Sequence, residues 1–404
     1  MKALLIAKNW PEPKSTAAGR RTLNLLNLIS NLGYQIHVAC AAQKTPFQAC
    51  LADAGYTETP IAVNDHKFDD YLTELRPQIV IFDRFVMEEQ FGWRVRNKAP
   101  NAMTILDTSD LHCLRSAREQ AFKHNTAVDL FNQDAIREVA SILRCDLTLM
   151  ISEVELELLK TQFNIPAGLL YYLPFLVKDS DYKPGMSYTE RKHLVMFGGF
   201  KHAPNRDAAH WLKAELWPAI RKHLPCETEL HIYGGYADHA ITQLHNPKDK
   251  FFIKGRAECA LTTMGQYRLN LAPLRFGAGQ KGKILEGWLT GTPTITSAIG
   301  AESMAESKDL LYQPTEDPEL FAQLVKQAYE DNDYWHQLQS SGYKLLNRHY
   351  QYQSFVQDFE DQVRSTINHL DSHRHKNFFG RILWQNQFRA SEYMSRWIEL
   401  KNSR

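Results

Sequence analysis

Long apolar runs, paired cysteines and net charge are all missing from this chain of 404 residues. No stretch approaches the ~18 consecutive apolar residues of a membrane-spanning helix. The opening MKALLIAKNWPEP holds an apolar run too short for a secretory leader. The six cysteines, at 40, 50, 113, 145, 226 and 259, form no CxxC pair and no metal-ligand spacing. Reduced thiols in a cytoplasmic protein with no metal site are expected. Lysine and arginine number 47 against 46 acidic residues, a net charge of +1. That balance excludes the basic character of a nucleic-acid-binding domain. Internal repeats and low-complexity tracts are also missing, which leaves an ordinary globular protein, long enough for two domains.

What the sequence does contain is a repeating rhythm of short apolar strands and helices. Leu4–Ala7 predicts a buried strand, Asn9–Gly19 a turn, Arg20–Leu32 a helix capped by Gly33, and Ile36–Cys40 a second strand. On that helix Leu23, Leu26 and Ile29 share one face, with Arg21, Asn27 and Asn31 on the other. Further strands are expected at Ile79–Phe82, Thr104–Leu106, Leu147–Ile151 and Leu169–Leu173. Short apolar runs of this kind suit parallel strands buried on both faces. The polar interval Leu111–Arg144 reads as helical. Around Pro174–Tyr188 the periodicity lapses, and a domain boundary is placed there.

The rhythm then restarts, with strands expected at His193–Phe197, Leu230–Tyr233, Phe251–Ile253, Leu269–Leu274, Thr294–Thr296 and Leu310–Tyr312. A helix is expected over Asn205–His223, with Pro204 near its start. The expected organisation is therefore α/β: two Rossmann-like parallel-sheet domains, residues 1–174 and 186–350, facing a central cleft. Residues 351–404 are read as closing helices, of which Gln351–Leu370 returns to the first domain. The last stretch mixes Arg374, Lys376, Arg381, Arg389 and Arg396 with Phe378, Phe379, Trp384 and Trp397. It reads either as a helix packed on its own domain or as a peripheral contact with an anionic membrane surface.

The stretch LAPLRFGAGQKGKILEGWLTGTPTITSAIG, residues 271–300, carries the most chemistry. A strand leads into a glycine-rich turn, then a helix containing Ile284, Leu285 and Trp288. Glycines let backbone amides approach a ligand closely. The positive end of the helix and the charges of Lys281 and Lys283 favour an anion, a phosphate above all.

Together with MFGGFKHAPNRDAAHWL (196–212), LHIYGG (230–235) and FFIKGRAE (251–258), this stretch resembles the C-terminal half of GT-B glycosyltransferases, in particular the retaining family 4. The four motifs occur in the family's order and cover most of residues 193–330. The first half resembles the family more loosely, through Gly19 and ILDTSDLH (105–112). The resemblance implies a GT-B architecture, a nucleotide-sugar donor held mainly by the second domain, an acceptor held mainly by the first, and neither cofactor nor obligatory metal. Glu286 matches the second glutamate of the family's E-x7-E motif and would hold the donor ribose. Gly279, Gln280, Lys281 and Gly282 match the turn whose amides meet the diphosphate. Gly255 and Arg256 match the loop beside the nucleobase, although Arg256 also suits a plain surface charge. Gly19 matches the loop that closes over the phosphates.

Three family groups are absent. The first glutamate of E-x7-E falls on Ala278, and the usual arginine and lysine fall near Gly199 and Asn205. Lys201, Arg275, Lys281 and Lys283 supply replacement charge for a leaving diphosphate. Asp107, Asp110 and His112 are expected at a strand end facing the cleft, to contact the transferred sugar or assist the acceptor hydroxyl. Either aspartate also suits the N-cap of the next helix. The expected activity is retaining sugar transfer to a glycan, lipid-linked or protein acceptor in polysaccharide or glycoconjugate synthesis. A catalytically inactive scaffold that binds a nucleotide or glycan is the alternative, favoured by Ala278. A nucleotide-sugar epimerase lacks the carboxylates and histidines it needs.

Overall fold

A computed structural model describes residues 1–403, the side chains of residues 386–389 excepted. Arg389 therefore lies outside the described side chains. The strands are β1 (Lys2–Ala7), β2 (Gln35–Cys40), β3 (Thr57–Pro60), β4 (Ile79–Asp83), β5 (Met103–Asp107), β6 (Leu147–Met150) and β7 (Leu170–Tyr172), then β8 (Lys192–Phe197), β9 (Leu230–Tyr233), β10 (Phe251–Gly255), β11 (Tyr267–Ala272) and β12 (Thr294–Thr296). They form a seven-stranded sheet, β3-β2-β1-β4-β5-β6-β7, and a five-stranded sheet, β10-β9-β8-β11-β12. Both sheets are parallel throughout. In each, strand order reverses beside the first strand, and ligands bind at the carboxyl ends of such switch points. Lys8 and Arg84 follow β1 and β4 directly, and Gly198 and Pro273 follow β8 and β11.

The strands are buried because Val, Ile and Leu at β1, β4, β8 and β11 have helices on both sides. The helix Tyr352–Asn368 returns to the first domain, where Phe359 and Val363 are fully buried. The two interdomain crossings run side by side: Val177 N–H donates to the Tyr350 carbonyl (2.7 Å) and Tyr352 N–H to the Val177 carbonyl (2.8 Å).

Several expectations are corrected. Thr57–Pro60, too polar to read as a strand, is the half-exposed edge strand β3. The interval 111–144 is two helices, His112–His124 and Gln133–Arg144, the first ended by Asn125 with φ 52° and the second capped by Asn132. Helix Ala203–Trp211 passes through a π turn, Leu212–Leu216, into Trp217–Arg221. Pro218 explains the turn, since it has no N–H to continue the α ladder.

Leu310–Tyr312 is not a strand, because Leu311 takes a left-handed conformation after the short helix Ser307–Leu310. Instead the Tyr312 hydroxyl donates to the Thr294 carbonyl (2.8 Å) and accepts from Thr296 N–H (3.1 Å). One side chain thus satisfies the open edge of β12. Tyr312→Phe is expected to lower stability by about 1–3 kcal/mol, the cost of leaving a buried backbone group unpaired. A urea titration with unchanged slope checks it.

Arg21 is also corrected. It is 4% exposed and turned inward, not to solvent. In the closing segment Arg374 faces inward as well, paired with Asp146 at 2.7 Å. Among the described residues no helix is long and apolar enough to cross a membrane.

Candidate active site

The glycine turn follows β11 and leads into helix Gly282–Leu289. Gly279 has φ 65°, and a Cβ there would lie 2.7 Å from the Cβ of Asp110 in the first domain. A Cβ on Gly282 would meet that of Ala17 at 2.1 Å. These two glycines are required by the close approach of the opposite domain.

Two lysines stand at the start of this helix. Lys281 Nζ donates to the Gly279 carbonyl and Lys283 Nζ to Asn205 Oδ1, each at 2.5 Å. Burial lowers both ammonium pKa values, Lys281 to about 8 and Lys283 to about 7, with nearby carboxylates only partly opposing it. Each lysine therefore sits where a charged ammonium is under-solvated until an anion joins it.

Glu286, one turn on, meets Arg20 of the first domain at 2.6 Å across the cleft. Burial raises the Glu286 pKa, against the pull of Arg20 and Lys283. Arg20 Nη1 is buried and has no hydrogen-bond partner among the described residues. A donor left in that state costs about 1–3 kcal/mol, so a ligand oxygen beside it is strongly favoured.

Further contacts hold the two domains together. Glu155 Oε1 accepts from Gly279 N–H (2.7 Å) in one domain and Leu111 N–H (3.1 Å) in the other. Burial, then the charge of Asp110, raises the Glu155 pKa to about 8. Arg118 grips Glu302 with two bonds (2.6 and 2.8 Å), and Arg256 reaches Glu12 at 2.6 Å.

On the first-domain side, Asp83 and Asp107 are neighbours in register at the carboxyl ends of β4 and β5. Arg21 neutralises Asp107 through Nε and Nη2 at 3.0 and 2.7 Å. Asp83 accepts from Lys8 N–H at 3.0 Å. Asp110 pairs with Arg115; burial raises its pKa, but Arg115, His112 and Arg84 together hold it down at about 2. His112 rests edge-on to Phe85, 5.3 Å between centroids, with Nδ1 3.3 Å from Glu138. Arg84 has φ 74°, a strained backbone for a non-glycine residue.

Residues 191–331 match the family described as Glycosyl transferases group 1. No curated protein matches by sequence. Among solved structures, HepE of Anabaena in complex with UDP and glucose is 13% identical, with a TM-score of 0.69 over 90% of this chain and 100% of that one. Sucrose-phosphate synthase from Thermosynechococcus elongatus gives 14% and 0.67, over 91% of this chain and 100% of its own. A glycosyltransferase from Rickettsia africae gives 11% and 0.63, over 90% and 98%. The fold is GT-B.

The GT-B cleft brings Gly279, Lys281, Gly282, Lys283 and Glu286 together with Asp110 and Ala17. It does not free every group expected there. The amides of Gly279 and Lys281 are already taken, by Glu155 and by Met304 Sδ (3.1 Å). Gln280 is a structural link, accepting from Phe175 N–H (2.9 Å) and donating to the Ser303 carbonyl (3.1 Å). Arg275 is bound by Asp207 at 2.6 and 2.9 Å and flanked by the rings of Phe122 and Trp211. Lys201 is exposed, 3.7 Å from the centre of the Tyr236 ring.

Gly199 offers its carbonyl to Asn205 Nδ2 (3.0 Å). Gly255, at φ 71°, accepts from Gly234 N–H at 2.8 Å. Gly19 lies in the first turn of helix Ala17–Asn31, bonded to Thr16 Oγ1 (3.0 Å). Neither Asp107 nor Asp110 caps the helix His112–His124; Glu138 does, accepting from the amides of His112 (3.1 Å) and Cys113 (2.9 Å).

Arg20 and Glu155 are the cleft residues that sequence reasoning missed. Arg20 leaves a readable sign: no acid occupies the first turn of its helix, where acids are favoured, and two arginines follow directly. Glu155 leaves none, because an acid in the first turn after Ser152 is what any helix start would show.

A surface groove lies elsewhere, between the outer helices of the second domain, and is lined by Lys308, His336, Lys344 and Arg348. No cleft residue reaches it.

Proposed function

We propose that this protein transfers a sugar, with retention, from a nucleoside diphosphate sugar to an acceptor hydroxyl, without help from a metal. The observation that carries the reading is the buried, unpartnered Nη1 of Arg20 beside Glu286 and the desolvated Lys283. An anion placed there pairs with Arg20, Lys281 and Lys283 and meets the positive end of helix Gly282–Leu289. Glu286 then accepts hydrogen bonds from the ribose diol. The HepE structures hold UDP, glucose and UDP-glucose, which makes UDP-glucose the first donor to test.

In this reading the bond between the sugar's anomeric carbon and the β-phosphate oxygen breaks, and the three cations stabilise charge developing on that oxygen. The acceptor oxygen bonds to the anomeric carbon on the same face, and its proton passes to the departing phosphate. His112 positions a hydroxyl of the transferred sugar. The acceptor is a glycan, lipid-linked or protein hydroxyl, and the six free cysteines suit a cytoplasmic setting.

The test is release of nucleoside diphosphate from a panel of nucleotide sugars. Glu286→Ala should raise the donor KM about tenfold to a hundredfold, from the loss of charge-assisted hydrogen bonds. Ala278, which packs on the first domain's apolar helix layer, favours a non-catalytic binder instead. Donor binding with no release from any donor in the panel would establish that second reading.

A further inference from the structure

The closing helix Phe378–Asn402, 25 residues and about 38 Å long, lies on the outside of the first domain. An ordinary surface helix buries its apolar stripe, whereas this one also leaves a second apolar stripe exposed. At 3.6 residues per turn, Phe378, Phe379, Ile382, Tyr393, Trp397 and Leu400 fall within about a third of the circumference. All six face solvent; Phe379 is 67%, Tyr393 68%, Trp397 59% and Leu400 67% exposed.

The opposite face is turned towards the domain and mixes the half-buried Leu383, Trp384 and Ile398 with small and polar residues. Ser395 Oγ donates to Asn64 Oδ1 (2.8 Å), the Trp384 indole N–H donates to the Arg144 carbonyl (3.0 Å), and Glu399 pairs with Arg94. Gly380 allows the closest approach, since a Cβ there would lie 2.2 Å from the Leu143 carbonyl oxygen. This opposite face anchors the helix, so burial in its own domain does not account for the aromatic stripe.

The charge carried by this helix is net positive. Arg381 and Arg396 line one edge and Lys401 the other, by their positions on the helix. The helix holds two carboxylates, both engaged by arginines: Glu392 by Arg396 (2.5 Å) and Glu399 by Arg94. Aromatic rings with flanking cations match the boundary between headgroups and acyl chains of an anionic bilayer. A second copy of this chain fits less well, because a two-fold interface would bring together two helices of the same net positive charge.

We propose that this helix docks the protein on an anionic lipid surface, with the aromatic stripe in the headgroup region and the cations against lipid phosphates. The domain that would hold the acceptor is then the one resting on the membrane. The docking stands independently of the catalytic reading.

The experiment is co-sedimentation of the full chain with vesicles of phosphatidylcholine, or of an equal mixture of phosphatidylcholine and phosphatidylglycerol. Binding is expected to the mixture, weakening as salt rises. Phe379→Glu with Trp397→Glu, and separately Arg381→Glu with Lys401→Glu, should each reduce it about tenfold or more. Both pairs change exposed side chains, so an unchanged thermal midpoint verifies folding. Equal binding to both vesicle types, no binding to either, or variants that bind like the parent would overturn the proposal. So would a concentration-dependent dimer, seen in sedimentation velocity, that the aromatic variants abolish.

Discussion

Lys283→Met is expected to lower turnover by about 10²–10³-fold, the range found when one preorganised group is removed from a site of developing negative charge. The free protein holds this ammonium half-buried, its pKa pushed down to about 7 by desolvation. A diphosphate beside it favours the charged form, so donor binding near pH 8 should draw a proton from solvent. That uptake should fade towards pH 6, where Lys283 is already charged. Calorimetry of UDP-glucose binding in buffers of different ionisation enthalpy reads it directly, since this donor has no titrating group in that range.

The same shift predicts the effect on stability, with its sign. An unfolded lysine titrates near 10.5 and the folded one near 7. Between those values the unfolded chain binds more protons, so the contribution of Lys283 to stability rises with pH across the window. Below pH 7 its burial penalty is fully present. Lys283→Met removes that penalty, so the variant should be as stable as the parent or more so at pH 6. Lost turnover in a protein of undiminished stability separates a role in catalysis from a role in folding. Lys281, at about 8, adds its own uptake near pH 8. Loss of activity together with loss of stability, or uptake at pH 7 undiminished in the variant, would therefore count against Lys283 as a phosphate ligand.

The parts of this molecule that were legible in the sequence are those set by local pattern. Short apolar runs broken by helical segments gave both parallel sheets, and Gly277–Gly282 marked the turn at the cleft. Pairings between distant residues left little trace. Arg21 sits on the polar side of its helix by periodicity, yet its partner Asp107 lies 86 residues away and pulls it inside. The run Leu310–Tyr312 has strand composition, but one hydroxyl on the edge of β12 does the work of a sixth strand. In the closing helix, composition showed the basic and aromatic residues, but not which face the domain would take. Arg374 and Trp384 turned inward and Trp397 did not. The cleft follows the same division. Lys281, Lys283 and Glu286 are read from one continuous stretch, whereas Arg20 and Glu155 reach it from the other domain.

Arg21→Ala should cost about 3–5 kcal/mol of stability, the penalty for stripping a buried carboxylate of its partner. Arg21 and Asp107 have side chains only 4% and 5% exposed, joined through two guanidinium nitrogens. The third nitrogen of Arg21 donates to the carbonyls of Leu173 (2.7 Å) and Pro174 (3.1 Å), where the chain leaves the first sheet for the second domain. One side chain therefore neutralises the end of β5 and fixes the start of the interdomain crossing. Urea titration should show a lower midpoint with little change in slope. Arg21→Met combined with Asp107→Leu should recover most of the loss, because apolar groups of similar volume avoid the desolvation cost of the pair. This outcome assigns Asp107 to architecture and leaves Asp110 as the first-domain carboxylate beside the glycine turn. If Asp107 instead worked on the substrate, the double variant would recover stability but lose turnover and donor binding. In the double variant, recovered stability with intact donor binding would show that the ion pair builds the cleft wall without touching what the cleft holds.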